Sequence, residues 1–135
     1  MFKQKIFIAF FLVFSIVAFL NFVGVQDHFY VMYKWYDIPM HILGGLSVSL
    51  FFLSYYGYFH KDISIPDYNK KIFCRLLLVL LCVTISWEIF ELAIHSTFLS
   101  EGAKYWFDTI KDIIDGFIGG MIGYFFFIKN KTSRS

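Results

Sequence analysis

Residues 37–59 read DIPMHILGGLSVSLFFLSYYGYF. After the aspartate, the only ionisable group apart from the tyrosines is His41. The segment is therefore apolar enough, and long enough, to cross a hydrocarbon core that requires about 20 residues of helix. Asp37 and His41 are one turn apart, and Gly44 and Gly45 follow within the next turn. A polar first turn that leads into a small-residue contact surface is typical of a helix in a membrane bundle.

The whole chain has the composition of a membrane protein. Of its 135 residues, 59% are hydrophobic, 23% aromatic and 16% charged, whereas soluble domains carry about 25% charged residues. Four segments fit a membrane helix, and the predicted spans cover residues 6–25, 38–59, 76–99 and 110–128. The sequence therefore predicts an all-α fold, a four-helix transmembrane bundle that forms a single integral membrane domain over residues 1–135.

The distribution of Lys and Arg predicts the orientation of the bundle. Of the 12 basic residues, nine lie at the termini or between the second and third predicted spans. Because basic residues concentrate on the cytoplasmic side, both termini are expected in the cytoplasm. The protein itself is expected in the plasma (inner) membrane. The first span is expected to remain as an uncleaved anchor, because it is too long for a signal peptide and lacks a small-x-small cleavage site.

Acidic and histidine side chains recur at helical spacing in three of the predicted spans. Residues three or four apart share a helix face, so each set forms one stripe. The predicted orientation brings all three stripes to the outer side of the membrane, and an uncompensated acid inside a bilayer costs roughly 3 kcal/mol. The eight groups are Asp37 and His41 at the start of the second span, Glu88, Glu91 and His95 toward the end of the third, and Asp108, Asp112 and Asp115 at the start of the fourth, where Asp37 and Asp108 lie just before the apolar segments.

Carboxylates and imidazoles without thiolates are ligands for Zn, Mn, Mg or Ca, so a divalent metal ion is the expected cofactor. The predicted metal ligands are Asp37, His41, Glu91, His95, Asp108 and Asp112, and the predicted catalytic groups are Glu88 and Asp115.

The same polar residues also allow explanations that need no metal ion. Lys111 is spaced to pair with Asp108 and Asp115, and carboxyls in a low-dielectric site can be protonated. A polar core that only holds the bundle together, or a proton relay, fits the same residues.

Three motifs, taken in this order, resemble those of the small YjdF-like and VanZ-like membrane proteins. They are Asp37-x-x-x-His41-x-x-Gly44-Gly45, Trp87-Glu88-Ile89-Phe90-Glu91 and Asp108-Thr109-x-x-Asp112-x-x-Asp115-x-x-x-Gly119-Gly120-x-x-Gly123. The resemblance covers about residues 37–128, and it implies functional roles for Asp37, His41, Glu88, Glu91, Asp108 and Asp112. Glu91 stands where VanZ-like proteins commonly have Gln, and no Arg precedes Asp108, so the YjdF-like branch is the closer one.

These observations favour a metal-dependent membrane enzyme, a hydrolase that acts on a lipid or a lipid-linked envelope substrate. The alternatives are a non-enzymatic binding or accessory protein and a cation or proton transporter, although the inner halves of the spans offer scarcely any polar group for a pathway. Membrane lipid is an expected partner, and the Phe-rich surface also suits a homo-oligomer. A net charge of +2 argues against a nucleic-acid partner. Two cysteines are too few for a disulfide scaffold or a thiolate zinc site.

Overall fold

The computed structural model is all-helical, as predicted. It describes residues 2–59, 65–93 and 103–132, and five helices lie within these ranges. They are α1 (Phe2–Gln26), α2 (Phe29–Met32), α3 (Asp37–Phe59), α4 (Ile65–Ala93) and α5 (Ala103–Thr132). The four long helices follow the order of the four predicted spans, and α2 is an additional short turn in the connection between α1 and α3.

Two of the long helices begin well before the predicted spans. α4 begins at Ile65 rather than at residue 76, and α5 begins at Ala103 rather than at residue 110. Hydropathy marks only the apolar part of a helix, which can continue into the interfacial region. Pro66 and Pro39 both lie in the first turn of their helices, where a missing N–H removes no helical hydrogen bond. Residues 94–102, which include the predicted end of the third span, lie outside the described residues.

Three helices among the described residues are long and apolar enough to cross a membrane. The segments are Lys5–Gln26, Asp37–Tyr56 and Lys70–Ala93. The first half of α5 carries Asp108, Lys111, Asp112 and Asp115, so only its second half is strongly apolar. α1 exposes large apolar side chains along most of its length, among them Phe11, Phe19 and Phe22. Such a surface suits contact with lipid and not with water.

α3 is the central helix of the bundle, and it packs against α1, α4 and α5. The apolar core lies toward the end of α3 that is far from Asp37. It consists of Ile6, Leu50, Leu53, Tyr56, Ile72, Leu76, Leu80 and Tyr124. At this end Arg75 of α4 donates a hydrogen bond of 2.9 Å to the Tyr56 hydroxyl, and its guanidinium carbon lies 5.5 Å from the ring centroid.

Glycines bring α3 and α5 into backbone contact. A Cβ atom added to Gly45 would collide with the carbonyl group of Gly116, and one added to Gly123 would meet the Ser49 side chain. The later residue of α3 faces the later residue of α5, so the two helices run parallel. Larger residues at these positions would push the helices apart, which explains the small-residue surface that follows the polar turn of α3.

The register between α4 and α5 is also set by glycines. Gly116 lies against the Thr84 side chain, and Gly120 lies against Leu80. A later residue of α5 thus meets an earlier residue of α4, so these helices are antiparallel. One further helical turn in the same register places Asp112 opposite Glu88. The beginning of α3, the end of α4 and the beginning of α5 therefore meet at one end of the bundle.

The connection between α1 and α3 is fastened to α1 by two tyrosines. The Tyr30 hydroxyl donates a hydrogen bond of 2.8 Å to Asn21 Oδ1, and the Tyr36 hydroxyl donates one of 2.8 Å to the Leu20 carbonyl. Both rings lie against Gly24, where a Cβ atom would collide with them. The two tyrosines therefore hold the chain that leads into α3 against α1.

Candidate functional site

Ligand-type side chains from three helices converge at the end of the bundle where α3 and α5 begin. They form two groups, in each of which one ligand atom per residue lies within 4.8 Å of the others. The first group is Asp37, His41 and Asp112, and the second is His41, Glu88 and Glu91. His41 thus belongs to both groups. We call the five residues together with Lys111 the polar cluster.

His41 lies between two aspartates from different helices. Its Nε2 atom is 3.2 Å from Asp37 Oδ1, one turn earlier in α3, and 3.9 Å from Asp112 Oδ2 in α5. The first distance allows a hydrogen bond, whereas the second is too long for one. Asp37 therefore orients the imidazole ring, and Asp112 faces the same nitrogen across a gap. The His41 side chain is 11% exposed and that of Asp112 is 6% exposed, so water has little access to this gap.

Lys111 contacts the opposite oxygens of the same two aspartates. Its Nζ atom is 2.6 Å from Asp112 Oδ1 and 3.5 Å from Asp37 Oδ2. Each aspartate therefore directs one oxygen toward His41 and the other toward Lys111. The predicted contact with Asp108 is also present, at 3.3 Å. The contact with Asp37 crosses from α5 to α3, and spacing along α5 gives no sign of it.

The two glutamates of α4 are each held by a neighbouring donor. Glu88 is buried, and the Thr109 side chain of α5 hydrogen-bonds to it. The Trp87 indole Nε1 donates a hydrogen bond of 2.8 Å to Glu91 Oε1. Such donors fix the orientation of carboxylates that bind a metal ion. Neither Trp87 nor Thr109 is among the predicted site residues, although each is adjacent in sequence to one of them.

Tyr30 lies close enough to the polar cluster to interact electrostatically with its carboxylates. Burial raises the pKa of the Tyr30 hydroxyl above its ordinary value, and the negative charges of Asp37 and Glu91 raise the pKa further. The phenol therefore stays protonated and remains a donor to Asn21. Tyr30 is not among the predicted site residues, and its position near the cluster is a property of the tertiary fold.

Three of the predicted site residues are not part of the two groups. Asp108 is 56% exposed and contacts Lys111 at the edge of the cluster. Asp115 is three residues beyond Asp112, and its Oδ2 atom is buried without a hydrogen-bond partner among the described residues. His95 lies outside the described residues. Thr84, on the same stripe as Glu88, donates its hydroxyl to the Leu80 carbonyl at 2.8 Å and is satisfied within its own helix.

The polar cluster contains more acid than base. Its four carboxylates share one ammonium group and one imidazole. Burial of a carboxylate costs several kcal/mol unless the charge is compensated, and protons or an added cation would balance the excess negative charge of these six residues. Ligand atoms bonded to one zinc ion at about 2.1 Å lie roughly 3 to 4 Å apart, so each group would have to close only slightly around an ion. The donor set and its spacing therefore fit a divalent metal ion.

A family model described as "Predicted membrane protein (DUF2238)" matches residues 2–132. The matched region includes all five helices and every residue of the polar cluster. No curated protein and no solved structure matches the chain. The apolar helices and the matched family agree that this is a membrane protein. The chain belongs to the DUF2238 family of predicted membrane proteins.

Proposed function

We propose that this protein binds a divalent metal ion in its polar cluster, at the outer side of the membrane. The observation that supports the proposal is the sharing of His41 by two groups of ligand atoms that three helices contribute. The proposed ligands are Asp37, His41, Glu88, Glu91 and Asp112. His95, predicted as a ligand from its stripe with Glu91, stays a prediction.

The charge balance of the cluster supports a divalent cation. Taken as whole residues, Glu88 is 7% exposed and Asp112 is 5% exposed, so neither carboxylate is solvated well enough to remain charged without a partner. Lys111 neutralises one negative charge at most. A divalent ion would supply two further positive charges and bond directly to the carboxylate oxygens. An imidazole among carboxylates suits Zn or Mn better than Mg or Ca.

The proposal includes α5 as a fourth membrane span, with both termini in the cytoplasm. α5 runs parallel to α3 in backbone contact with it, and α3 itself is apolar enough to cross a membrane. The charges that make the first half of α5 polar include Lys111, whose ammonium group pairs with Asp112 of the same helix and with Asp37 of α3. Paired charges that face other helices are tolerated at membrane depth.

The enzymatic part of the proposal is hydrolysis of a lipid or a lipid-linked envelope substrate. A bound divalent ion would polarise a phosphoryl or carbonyl oxygen and activate water. Glu88, predicted as a catalytic group, lies within a ligand group and is reassigned as a ligand. Asp115 belongs to neither group and has a buried, unpaired Oδ2 atom, so it is the proposed proton acceptor. The order of the three motifs supports a relationship to the YjdF-like proteins.

One observation favours a second candidate, a polar core without a metal. Lys111 forms a close ion pair with Asp112 of its own helix, at 2.6 Å, and its contact of 3.5 Å with Asp37 can hold α5 against α3. Transport is less well supported. Directly beneath the cluster, the backbone contact between Gly45 and Gly116 leaves no room for a polar route between α3 and α5.

Metal analysis tests the proposal. The protein would be purified in detergent without a histidine tag, and its metal content measured by plasma mass spectrometry for wild type, His41→Ala and Glu91→Ala. Asp27→Asn is the control, because Asp27 is an exposed carboxylate in the connection after α1. We expect near-stoichiometric metal in wild type and in the control, and its loss in the other two variants. If wild type neither retains nor takes up a metal ion, the polar core is the better explanation.

A further inference from the structure

We propose that Lys111 is a displaceable internal counter-ion, whose ammonium group competes with the divalent ion for Asp37 and Asp112. The inference rests on the proposed function and concerns how the same site sets its affinity. It follows from the position of Lys111, from its exposure and from a second partner nearby.

The position of Lys111 makes its ammonium group an alternative to a metal ion. Its Nζ atom lies 2.6 Å from Asp112 Oδ1 and 3.5 Å from Asp37 Oδ2, and thus bridges carboxylates from two helices. A divalent ion shared by these two aspartates would bind to the same two negatively charged carboxylates. Ion and ammonium group repel each other at this distance, so the bound ion favours a conformation in which Lys111 has moved away.

The exposure of Lys111 allows such a movement. Its side chain is 36% exposed, whereas that of Asp112 is 6% exposed. Lysine carries its charge on a flexible four-carbon stem, and the ammonium group is readily hydrated. The aspartates are held by the bundle, but the lysine has a path into solvent at the end of the cluster.

Asp108 provides a second ion-pair partner for the displaced ammonium group. Lys111 Nζ is already 3.3 Å from Asp108 Oδ1, and the Asp108 side chain is 56% exposed. A small rotation of the lysine side chain would exchange the buried pair for this exposed one. Without a metal ion Lys111 therefore limits repulsion between Asp37 and Asp112, and with a metal ion it pairs with Asp108. This role also explains why Asp108 belongs to the same helix face but to neither ligand group.

Binding of Mn²⁺ tests the inference. Free and bound Mn²⁺ would be quantified by electron paramagnetic resonance on the full-length protein in detergent, for wild type, Lys111→Met, Lys111→Arg and Lys34→Met. We expect Lys111→Met to bind Mn²⁺ on the order of tenfold more tightly than wild type, because the competing charge is gone. Lys111→Arg keeps a cation and should stay near wild type. Lys34→Met removes an exposed positive charge from the connection before α3 and should leave the affinity unchanged.

Thermal unfolding provides a second readout. Lys111→Met should have a lower Tm than wild type without metal, because Asp37 and Asp112 then repel each other. Added Mn²⁺ should restore the Tm of this variant and raise it by more degrees than it raises that of wild type. If Lys111→Met does not elute as a folded species in gel filtration, Lys111→Gln takes its place with the same expectations.

The outcomes separate the two proposals. Unchanged or weaker Mn²⁺ binding in Lys111→Met overturns the role of Lys111. His41→Ala is measured in the same assay, and if it loses the Mn²⁺ binding of wild type, the proposed metal site still stands. Binding that persists in His41→Ala overturns the proposed site itself. Failure of every variant to bind Mn²⁺ overturns both proposals.

Discussion

The Nε2 atom of His41 and the Oδ2 atom of Asp112 face each other at 3.9 Å, across the contact between α3 and α5. The distance is too long for a hydrogen bond. It is close to the separation of two atoms that each bond to one metal ion at about 2.1 Å. One helical turn further along both helices, Gly45 meets the Gly116 carbonyl. This backbone contact brings the two side chains to their observed separation.

Gly45→Ala is expected to destabilise the bundle and disturb the polar cluster. The added Cβ atom would collide with the Gly116 carbonyl, so the helices must separate, and overpacking of this kind costs about 1 to 3 kcal/mol. Gly44→Ala is the matched control, because a Cβ atom at Gly44 meets nothing within 4 Å. Thermal unfolding in detergent should show a lower Tm for Gly45→Ala only. Equal Tm values for the two variants would contradict the close α3–α5 contact.

Asp112→Asn and Asp108→Asn should differ strongly in metal affinity, although both remove a carboxylate from α5. Asp112 is buried and faces His41, whereas Asp108 is largely exposed and contacts Lys111. We expect a loss of at least about 100-fold for Asp112→Asn, beyond the range seen for supporting residues. The loss for Asp108→Asn should stay below about tenfold, as for an exposed ion pair. Titration with Mn²⁺ checks both values, and similar losses would argue against the assignment of Asp112 as a ligand.

Trp87 should report metal binding through its fluorescence. Its indole donates a hydrogen bond to Glu91 Oε1, so a metal ion at Glu91 changes the environment of the indole. We expect Trp87→Phe to lose the emission change on Mn²⁺ addition and to bind the ion about tenfold more weakly, as when a supporting hydrogen bond to a ligand is removed. Trp106→Phe is the control, because Trp106 is an exposed residue of α5. A response that disappears in this control instead would contradict the prediction.

The orientation can be measured with alkaline phosphatase fusions, since the enzyme is active only outside the cytoplasm. Fusions after residues 34 and 102 are expected to be active, and fusions after residues 60 and 135 to be inactive. The expectation follows from the excess of Lys and Arg at the termini and in the connection between α3 and α4. An active fusion after residue 135 together with one after residue 102 would show that α5 does not cross the membrane.

Much of the architecture could be predicted from local sequence. Apolar length predicts the helices, and the order of the four long helices is confirmed, as are the all-helical class and the membrane location. The boundaries of α4 and α5 were less accurate, because their polar first turns continue the helix beyond the apolar part. The metal ion, the hydrolase activity and the YjdF-like relation stay predictions.

The sequence by itself determined which residues share a helix face, because the angle between residues around a helix axis depends only on their spacing. Asp37 and His41 in α3, and Glu88 and Glu91 in α4, could be paired in this way. Only the tertiary structure decided which residues of each face enter the polar cluster. Asp112 enters the cluster while Asp108 stays at its edge, although both lie on one stripe of α5. The reason is that glycine contacts set the register of α3 against α5 and of α4 against α5. Register is a relationship between two helices, so the spacing of residues within one helix cannot predict it.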